Sequence, residues 1–542
     1  MADRVRYLGV SDKITRREFL VEVGAFTLSL PFFSCSSRSV ALDGKGSGNT
    51  EPLSAGSPKA SDVIMRSLGI HPKNSGDPHD TMQALRNFHA NRLEWTYIDD
   101  INFIQKVKQS GRLFGGTVSA TSYIPVDRNS NWFEKVAIKD LNGKLIIAPW
   151  KRTWERSLWG CMNNPELEAG YIRYLKQYID AGAQVMQRDE PEGNLLATSW
   201  GGCFCAFCVE GFRKHLKENF NSDELLRLGV SNITTFNYRE YLREIGAPVG
   251  DAFAKWDGGE LKRQFIEFQT EATISFHKRT RLAINRYANR SIPMSCNNGA
   301  VKHGPIEQLF DWWIGELRYR DATPETLYRI MTEAKKCGKQ QVVTMPKKGD
   351  YNNLTDWVGL TRKTIAMAYA CGGQCLVPWD IYMPNNAPRY FGLPSQYADL
   401  FAFVRANKMY LDGYRQIDAL VSSSERKGQK SPHITAEKEI CVTARTNPDD
   451  VQKPLVFHLI DWSSDPKPFS LWLDFDYFKI RRGSTFHLLV PELSLAIDDP
   501  ITGPKGWRNH HRGPIALHGQ SDNALAVPAI RPWGLLLVYA NS

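Results

Sequence analysis

From residue 62 onward, short apolar runs alternate with longer segments in which apolar residues recur every three to four positions. The runs DVIMRSLGI, RLEWTYI, LFGGTVSA, AQVMQRDE, IPMSCNNG, FDWWIGEL, QQVVTMPK and QCLVPWDIY read as eight strands, each ending in polar or aromatic residues. Between them, segments such as INFIQKVKQSG, NPELEAGYIRYLKQYIDAG and TPETLYRIMTEAKKCG carry the helical period. Eight such alternations predict an α/β chain folded as a (β/α)8 TIM barrel. A doubly wound sheet would want a Gly-rich phosphate turn after an early strand, and the sequence has none there. Beyond YADLFAFVRANKMYLDGY the period changes. EICVTART, KPLVFHLIDW, FSLWLDF, FHLLVPEL and AIRPWGLLLVYA are short strands parted by Pro, Asp and Gly, which predicts a C-terminal all-β, sandwich-like domain.

The N-terminus breaks this pattern. A basic segment runs into Thr15-Arg16-Arg17-Glu18-Phe19-Leu20 and then into an apolar stretch ending near Cys35, the layout of a twin-arginine export signal. The stretch carries Glu22 and falls short of the roughly 20 apolar residues a spanning helix needs, so no spanning membrane segment is expected. Cys35 follows a small residue, as lipoprotein cysteines do, and is the candidate lipid anchor, although Phe32 stands where such signals usually carry Leu. The Ser-, Gly- and Pro-rich stretch behind it reads as a tether. The expected organisation is therefore 1–35 signal, 36–60 flexible linker, 61–425 barrel catalytic domain and 430–542 β-sandwich domain, in a protein exported to the periplasm or cell surface.

Composition adds two exclusions. With 42% hydrophobic and 23% charged residues in 542, disorder, collagen and a multi-span membrane protein are ruled out. The 68 Lys and Arg against 58 Asp and Glu give a formal charge of +10, but the basic residues are scattered, so no nucleic-acid partner is expected. Nothing in the chain fixes an oligomeric state.

In a TIM barrel the chemistry sits where strands end, at the C-terminal face. The fourth strand closes with Asp189-Glu190, the sixth with Glu316 after Trp312 and Trp313, and the eighth with Trp379-Asp380 followed by Tyr382. Glycosidic cleavage needs one carboxylic acid to protonate the leaving oxygen and a second to attack or to activate water, with aromatic faces to stack on sugar rings. Asp189, Glu190, Glu316 and Asp380 are thus candidate catalytic acids, and Trp312, Trp313, Trp379 and Tyr382 candidate platforms for a carbohydrate substrate. His71, Asn163, Asn297, Asn298 and Lys347 are further strand-end groups able to hydrogen-bond sugar hydroxyls. Lys347 and Lys348, with Arg188 and Arg389, would favour a uronate or sulfated sugar.

Ten cysteines in an exported protein would ordinarily form disulfides. Cys203, Cys205 and Cys208, however, place three thiols within six residues, a spacing suited to one tetrahedral ion, with Cys161 in WGCMNNP as the candidate fourth ligand. Four thiolates leave zinc no open position, so the expected metal is structural and catalysis needs no cofactor. The stretch DEPEGNLLATSWGGCFCAFCVEGFRKHL, with the upstream Cys161, resembles the family 42 β-galactosidases and related barrels of the large retaining glycosidase clan. That resemblance covers about fifty residues, and it implies Glu190 as general acid/base and the four cysteines as a zinc site.

Two departures limit the transfer. The family has Asn before its acid/base where this chain has Asp189, and its nucleophile is a Glu closing strand seven, where this chain has Thr344-Met345-Pro346-Lys347-Lys348. The pair is completed by Glu316, by Asp380, or by Asp189 as a strand-four nucleophile with Glu316 as acid/base, as in α-galactosidase-like barrels. The expected function is glycoside hydrolysis of a poly- or oligosaccharide, charged glycans included. The alternatives are a glycan-binding barrel that lost its nucleophile and a polysaccharide lyase using His71 or Lys347 as base.

Overall fold

The computed structural model describes residues 56–69, 81–119, 132–149, 159–299, 303–345, 356–381, 391–422, 431–437, 439–491, 514–518 and 523–539. Cys35, His71, Lys347, Lys348, Tyr382 and Arg389 lie outside them.

The strands of the parallel sheet are β1 (Ile64–Arg66), β2 (Arg92–Thr96), β3 (Leu113–Ser119), β4 (Val185–Asp189), β5 (Met294–Asn297), β6 (Trp312–Glu316), β7 (Gln340–Thr344), β8 (Gln374–Cys375) and β9 (Val377–Pro378). Their order is β8-β7-β6-β5-β4-β3-β2-β1-β9. β8 and β9 are the two halves of the eighth expected strand, interrupted at Leu376. β8 pairs with β7 and β9 with β1, both parallel, so the sheet closes on itself as a (β/α)8 barrel.

The described residues fall into two compact units, Gly116–Asp311 and 56–115 with 312–539. In the first, side-chain alternation can be read from what each strand touches. A Cβ on Gly116 would stand 2.6 Å from the ring of Tyr178, so 116 and 118 face the helix Pro165–Ala181 and Thr117 and Ser119 face the barrel interior. On β4 the Arg188 guanidinium lies 4.3 Å from the Tyr171 ring centroid and its Nη2 donates to Thr280 Oγ1 at 3.0 Å. Arg188 therefore points outward to the helices, and Gln187 and Asp189 point in. The β4/β5 register, Gln187↔Ser295 and Arg188↔Cys296, puts Ser295 and Asn297 on that same inner side.

Helix Pro165–Ala181 begins where sequence rules place it. The Asn164 side chain accepts from the Glu166 N–H, Pro165 fills the first turn, and Gly182 ends the helix at φ 100. The 30-residue helix Gly259–Ala288 buries Phe265, Phe268, Gln269, Thr273, Phe276, His277, Thr280 and Ile284, a stripe at three-to-four-residue spacing. Several of these buried residues are polar, and their partners belong to the site below.

In the second unit, β10 (Arg415–Gln416), β12 (Ile440–Thr446), β13 (Leu455–Asp461), β18 (Trp533–Val538), β15 (Thr485–Leu489) and β16 (Ile515–His518) form one sheet in that order, and β11 (Ile434–Ala436), β14 (Phe469–Leu473) and β17 (Ala524–Val527) form another. Val442, Phe457, Leu459 and Leu536 from the first sheet and Leu471, Leu473, Leu525 and Val527 from the second share one core, which makes this an antiparallel sandwich. β10 belongs to it, so the all-β part begins ahead of residue 430. The first sheet's outer face packs on the helix Trp357–Ala370. Trp533 stacks 6.1 Å from Tyr369 and Thr443 Oγ1 donates to Ala370 O at 3.0 Å. Burial on both faces is why KPLVFHLIDW and WGLLLV read as near-continuous apolar runs.

Candidate active site and thiol cluster

β4 ends in two adjacent buried acids that accept from the strands on either side. Asp189 Oδ1 accepts from Asn297 Nδ2 at 2.8 Å and from the Glu190 backbone N–H at 3.0 Å. Glu190 Oε2 accepts from Ser119 Oγ at 2.6 Å. Three adjacent strands thus meet at two carboxylates, Asp189 7% exposed and Glu190 2%. Glu190 sits at φ 57, a left-handed backbone that costs a non-glycine residue on the order of 1–3 kcal/mol and is kept where the surroundings enforce it. Asn297 Oδ1 accepts from the Gly299 N–H at 2.9 Å, which fixes the amide so that its NH2 faces the acid. Asn298 is fully buried beside it. Glu192, in the same loop, is 6% exposed, and neither of its carboxylate oxygens has a hydrogen-bond partner among the described residues.

The loop is held from below by His277. Its Nε2–H donates to Pro191 O at 2.7 Å, and burial together with the Arg188 cation lowers its pKa to about 3. The unfolded imidazole titrates near its ordinary value of about 6.5. Between these values the unfolded chain binds a proton that the folded chain refuses. Stability present above about pH 6.5 is therefore lost as pH falls toward 3. Thermal melts of wild type should weaken steadily over this window, by a few kcal/mol at pH 4, and His277→Gln should flatten that slope. Equal slopes would show that His277 is not the group responsible.

The other expected residues separate into several environments. In the second unit, Glu316 is the half-buried end of β6, in register with Thr344. Asp380 is fully buried and accepts from Ser67 Oγ at 2.9 Å and from the Leu68 N–H at 2.6 Å, tying the ends of β9 and β1 together. Trp312 and Trp313 are 0% exposed and Trp379 1%. Trp312 Nε1 donates to Glu94 at 3.2 Å, and Trp379 packs edge-on against Phe88 at 5.7 Å. With no open face these three rings are core, not sugar platforms. Arg188 is likewise sealed between Tyr171 and Thr280 and offers nothing to a charged sugar. Asn163 lies at the thiols, its Nδ2 donating to Cys208 Sγ and to Gln269 Oε1, each at 3.2 Å.

Cys161, Cys203, Cys205 and Cys208 converge, all four sulfurs lying within 4.8 Å of one another and all buried. Cys161 Sγ is 3.4 Å from Cys208 Sγ and 3.6 Å from Cys205 Sγ, so these are thiols in contact and not disulfides. Burial pushes the Cys161 and Cys208 thiols up, whereas hydrogen bonds from Cys161, Cys203 and Cys208 hold Cys205 well below the ordinary cysteine value. Four sulfurs around zinc at about 2.3 Å stand about 3.8 Å apart, so the donor set and its spacing fit that ion. Asn194 Nδ2 donates to Cys161 Sγ at 3.6 Å and to Gln269 Oε1 at 2.9 Å. Trp159 and Trp200, packed edge to face at 4.8 Å, wall the cluster off from water. Sequence reasoning missed Ser119, Asn194, Gln269 and His277. The one available signal was polar residues recurring inside the buried stripe of the helix Gly259–Ala288.

Fold and acids define a class: a TIM barrel with carboxylates at its strand ends, the arrangement on which glycosidic bond cleavage runs. No protein-family model matches the chain. Two curated relatives are alpha-agarases, from Alteromonas agarilytica and Thalassotalea agarivorans. Each is 24% identical over 266 residues, which cover 45% of this chain and 18% of the relative. The chain thus matches less than a fifth of the length of these agarases. Among solved structures, the cycloisomaltooligosaccharide glucanotransferase of Paenibacillus sp. superposes with a TM-score of 0.51 at 8% identity, over 88% of this chain and 85% of that one, a likeness of fold alone. These relatives are not β-galactosidases.

Proposed function

We propose that this chain is an exported glycoside hydrolase that cleaves an α-linked polysaccharide, with agar-type galactans the first substrates to test. The observation that carries the reading is the pair of acids closing β4, held by donors from the strands on both sides. The alpha-agarase similarity supports the substrate class.

Of the two acids, Asp189 is the better nucleophile. It is the more exposed of the two, 7% against 2% for Glu190. Glu316, half-buried at the end of β6, is proposed as acid/base. Asp189 forms a bond to the anomeric carbon as the glycosidic C–O bond breaks, and the leaving oxygen takes its proton from Glu316. Water, deprotonated by Glu316, then displaces the carboxylate. Glu190, implied as acid/base by the β-galactosidase resemblance, is assigned instead to support Asp189. The zinc, bound by the four cysteines, would brace the loops and take no part in this chemistry. Export rests on the Arg16-Arg17 segment, and lipidation at Cys35 remains part of the proposal. No helix of the described residues is long and apolar enough to cross a membrane.

Reducing-sugar release by wild type and Glu316→Gln on agarose, a neutral α-glucan, a uronate polymer and a sulfated galactan tests the reading. Release from agarose by wild type alone is the expected result. An unsaturated, ultraviolet-absorbing product would make the protein a lyase. Glycan binding without release from any polymer would make it a binding barrel.

A further inference from the structure

We propose that a cavity at the N-terminal end of the barrel strands is an oxyanion-binding site, in which Arg86, Arg112 and Arg405 receive a sulfate or phosphate group. It is independent of the hydrolase reading. Its residues precede β2 and β3 or lie on a late helix, at the opposite end of the parallel strands from Glu316, which closes β6.

The cavity measures about 390 Å³, and its wall holds three guanidinium groups, the His89 imidazole and, among the described residues, no Asp or Glu. Separate elements supply the cations. Arg86 lies in the last turn of the helix Thr81–Asn87, Arg112 in the turn that enters β3, and Arg405 near the end of the helix Pro394–Ala406. Arg112 is fixed by the backbone, its Nε donating to Ala90 O at 2.9 Å and its Nη1 to Ser110 O at 3.4 Å. Arg405 Nη1 donates to Ser61 O at 3.0 Å, and Arg86 Nη2 to Gln83 Oε1. These acceptors carry partial charges only, so they orient the guanidinium forks without neutralising them. Among the described residues the carboxylate paired with these arginines is Asp62, 3.7 Å from Arg405 and closer, at 3.1 Å, to Arg92.

Cations gathered this way repel one another, and their ionisation reflects it. Burial, with Arg405 and Arg112 behind it, lowers the His89 pKa to about 4, and burial followed by Arg86 lowers that of Arg112. An anion entering the cavity relieves that repulsion. A carboxylate offers two oxygens in one plane. A sulfate or phosphate group offers at least three in different directions, which suits forks arriving from three elements. The volume exceeds that of the anionic group alone, so there is room for a sugar or other molecule that carries it. Gly111, at φ 77 and with open space where a Cβ would stand, leaves that part of the wall bare.

Melting curves of the full chain in sodium sulfate, sodium phosphate and sodium chloride at matched ionic strength test the site. Sulfate and phosphate should raise the melting temperature saturably, by several degrees at roughly 100-fold excess over Kd, and chloride should not. Sulfate also stabilises proteins by exclusion from their surface, but that effect does not saturate and is the same in every variant. Arg86→Gln and Arg112→Gln should each weaken anion binding by about tenfold or more. Arg86 is exposed and its hydrogen bond is to Gln83, so its variant stays informative even if loss of the Ala90 contact unfolds Arg112→Gln. A sulfated galactan that displaces the inorganic anion, where its desulfated form does not, would support the site and name a sugar sulfate as its source. Saturable binding of inorganic phosphate or sulfate that neither polymer displaces would support the site with a free oxyanion as ligand. No saturable rise beyond that in chloride, or the same rise in wild type and Arg86→Gln, would overturn the assignment.

Discussion

Replacing Asp189 with Asn is expected to lower kcat by roughly 10⁴-fold or more while leaving the barrel folded. The amide has the size of the carboxylate, and its oxygen can still accept from Asn297 and from the Glu190 N–H. The hydrogen-bond frame therefore survives, and what is lost is the oxygen that forms the bond to the anomeric carbon. Glu316→Gln removes a proton donor and not a nucleophile. Its loss should lie within about 10²–10⁴-fold and should shrink for substrates whose leaving group needs no protonation. Glu190→Gln keeps an oxygen for Ser119 and should cost least of the three. Steady-state kinetics on a polymer and on an aryl glycoside separate these outcomes. A Glu190→Gln variant more damaged than Asp189→Asn on both substrates would reverse the two strand-four roles.

Serine in place of Cys208 is expected to strip the metal and to lower the melting temperature by roughly 10 °C, for a loss of about 4 kcal/mol in a unit of this size. A buried thiolate cluster is tolerable only around a cation that repays its desolvation. Cys208 is fully buried and in contact with Cys161, Asn163 and Asn194, so its sulfur has no exit to water when the cluster loosens. Elemental analysis of the purified wild type should give one zinc per chain, and a strong chelator should reproduce the serine variant's melting curve. Wild type free of metal, with Cys208→Ser equally stable, would show the four thiols to be ordinary core residues.

The periodicities placed all eight barrel strands and the change to an all-β domain, because those signals are local and the core faces are strictly patterned. The break at Leu376 was not visible, since two-residue strands on either side of one residue look like a single run. The cysteine convergence followed from thiol spacing plus one distant partner. The aromatic residues misled, because Trp312, Trp313 and Trp379 are as apolar as they are flat, and burial within the barrel claimed them. Nor did spacing show that Asn163 serves the thiols, or that Ser119 reaches Glu190 from another strand. Such contacts depend on how separate elements meet in space, as where Gly116 on β3 lies against the ring of Tyr178, and they leave no period in the sequence.

The buried stripe of Gly259–Ala288 has a further consequence. Gln269 bonds Asn163 and Asn194 at the thiols, His277 holds the Pro191 carbonyl, and Thr280 receives Arg188 from β4. One helix thus serves as the common backing of the acid-bearing strand, its loop and the cysteines. These parts are held together as one packed assembly. Grafting the DEPEG segment into another barrel would carry over the acids without the frame that aims them. A workable transplant would have to move the helix and both cysteine loops together.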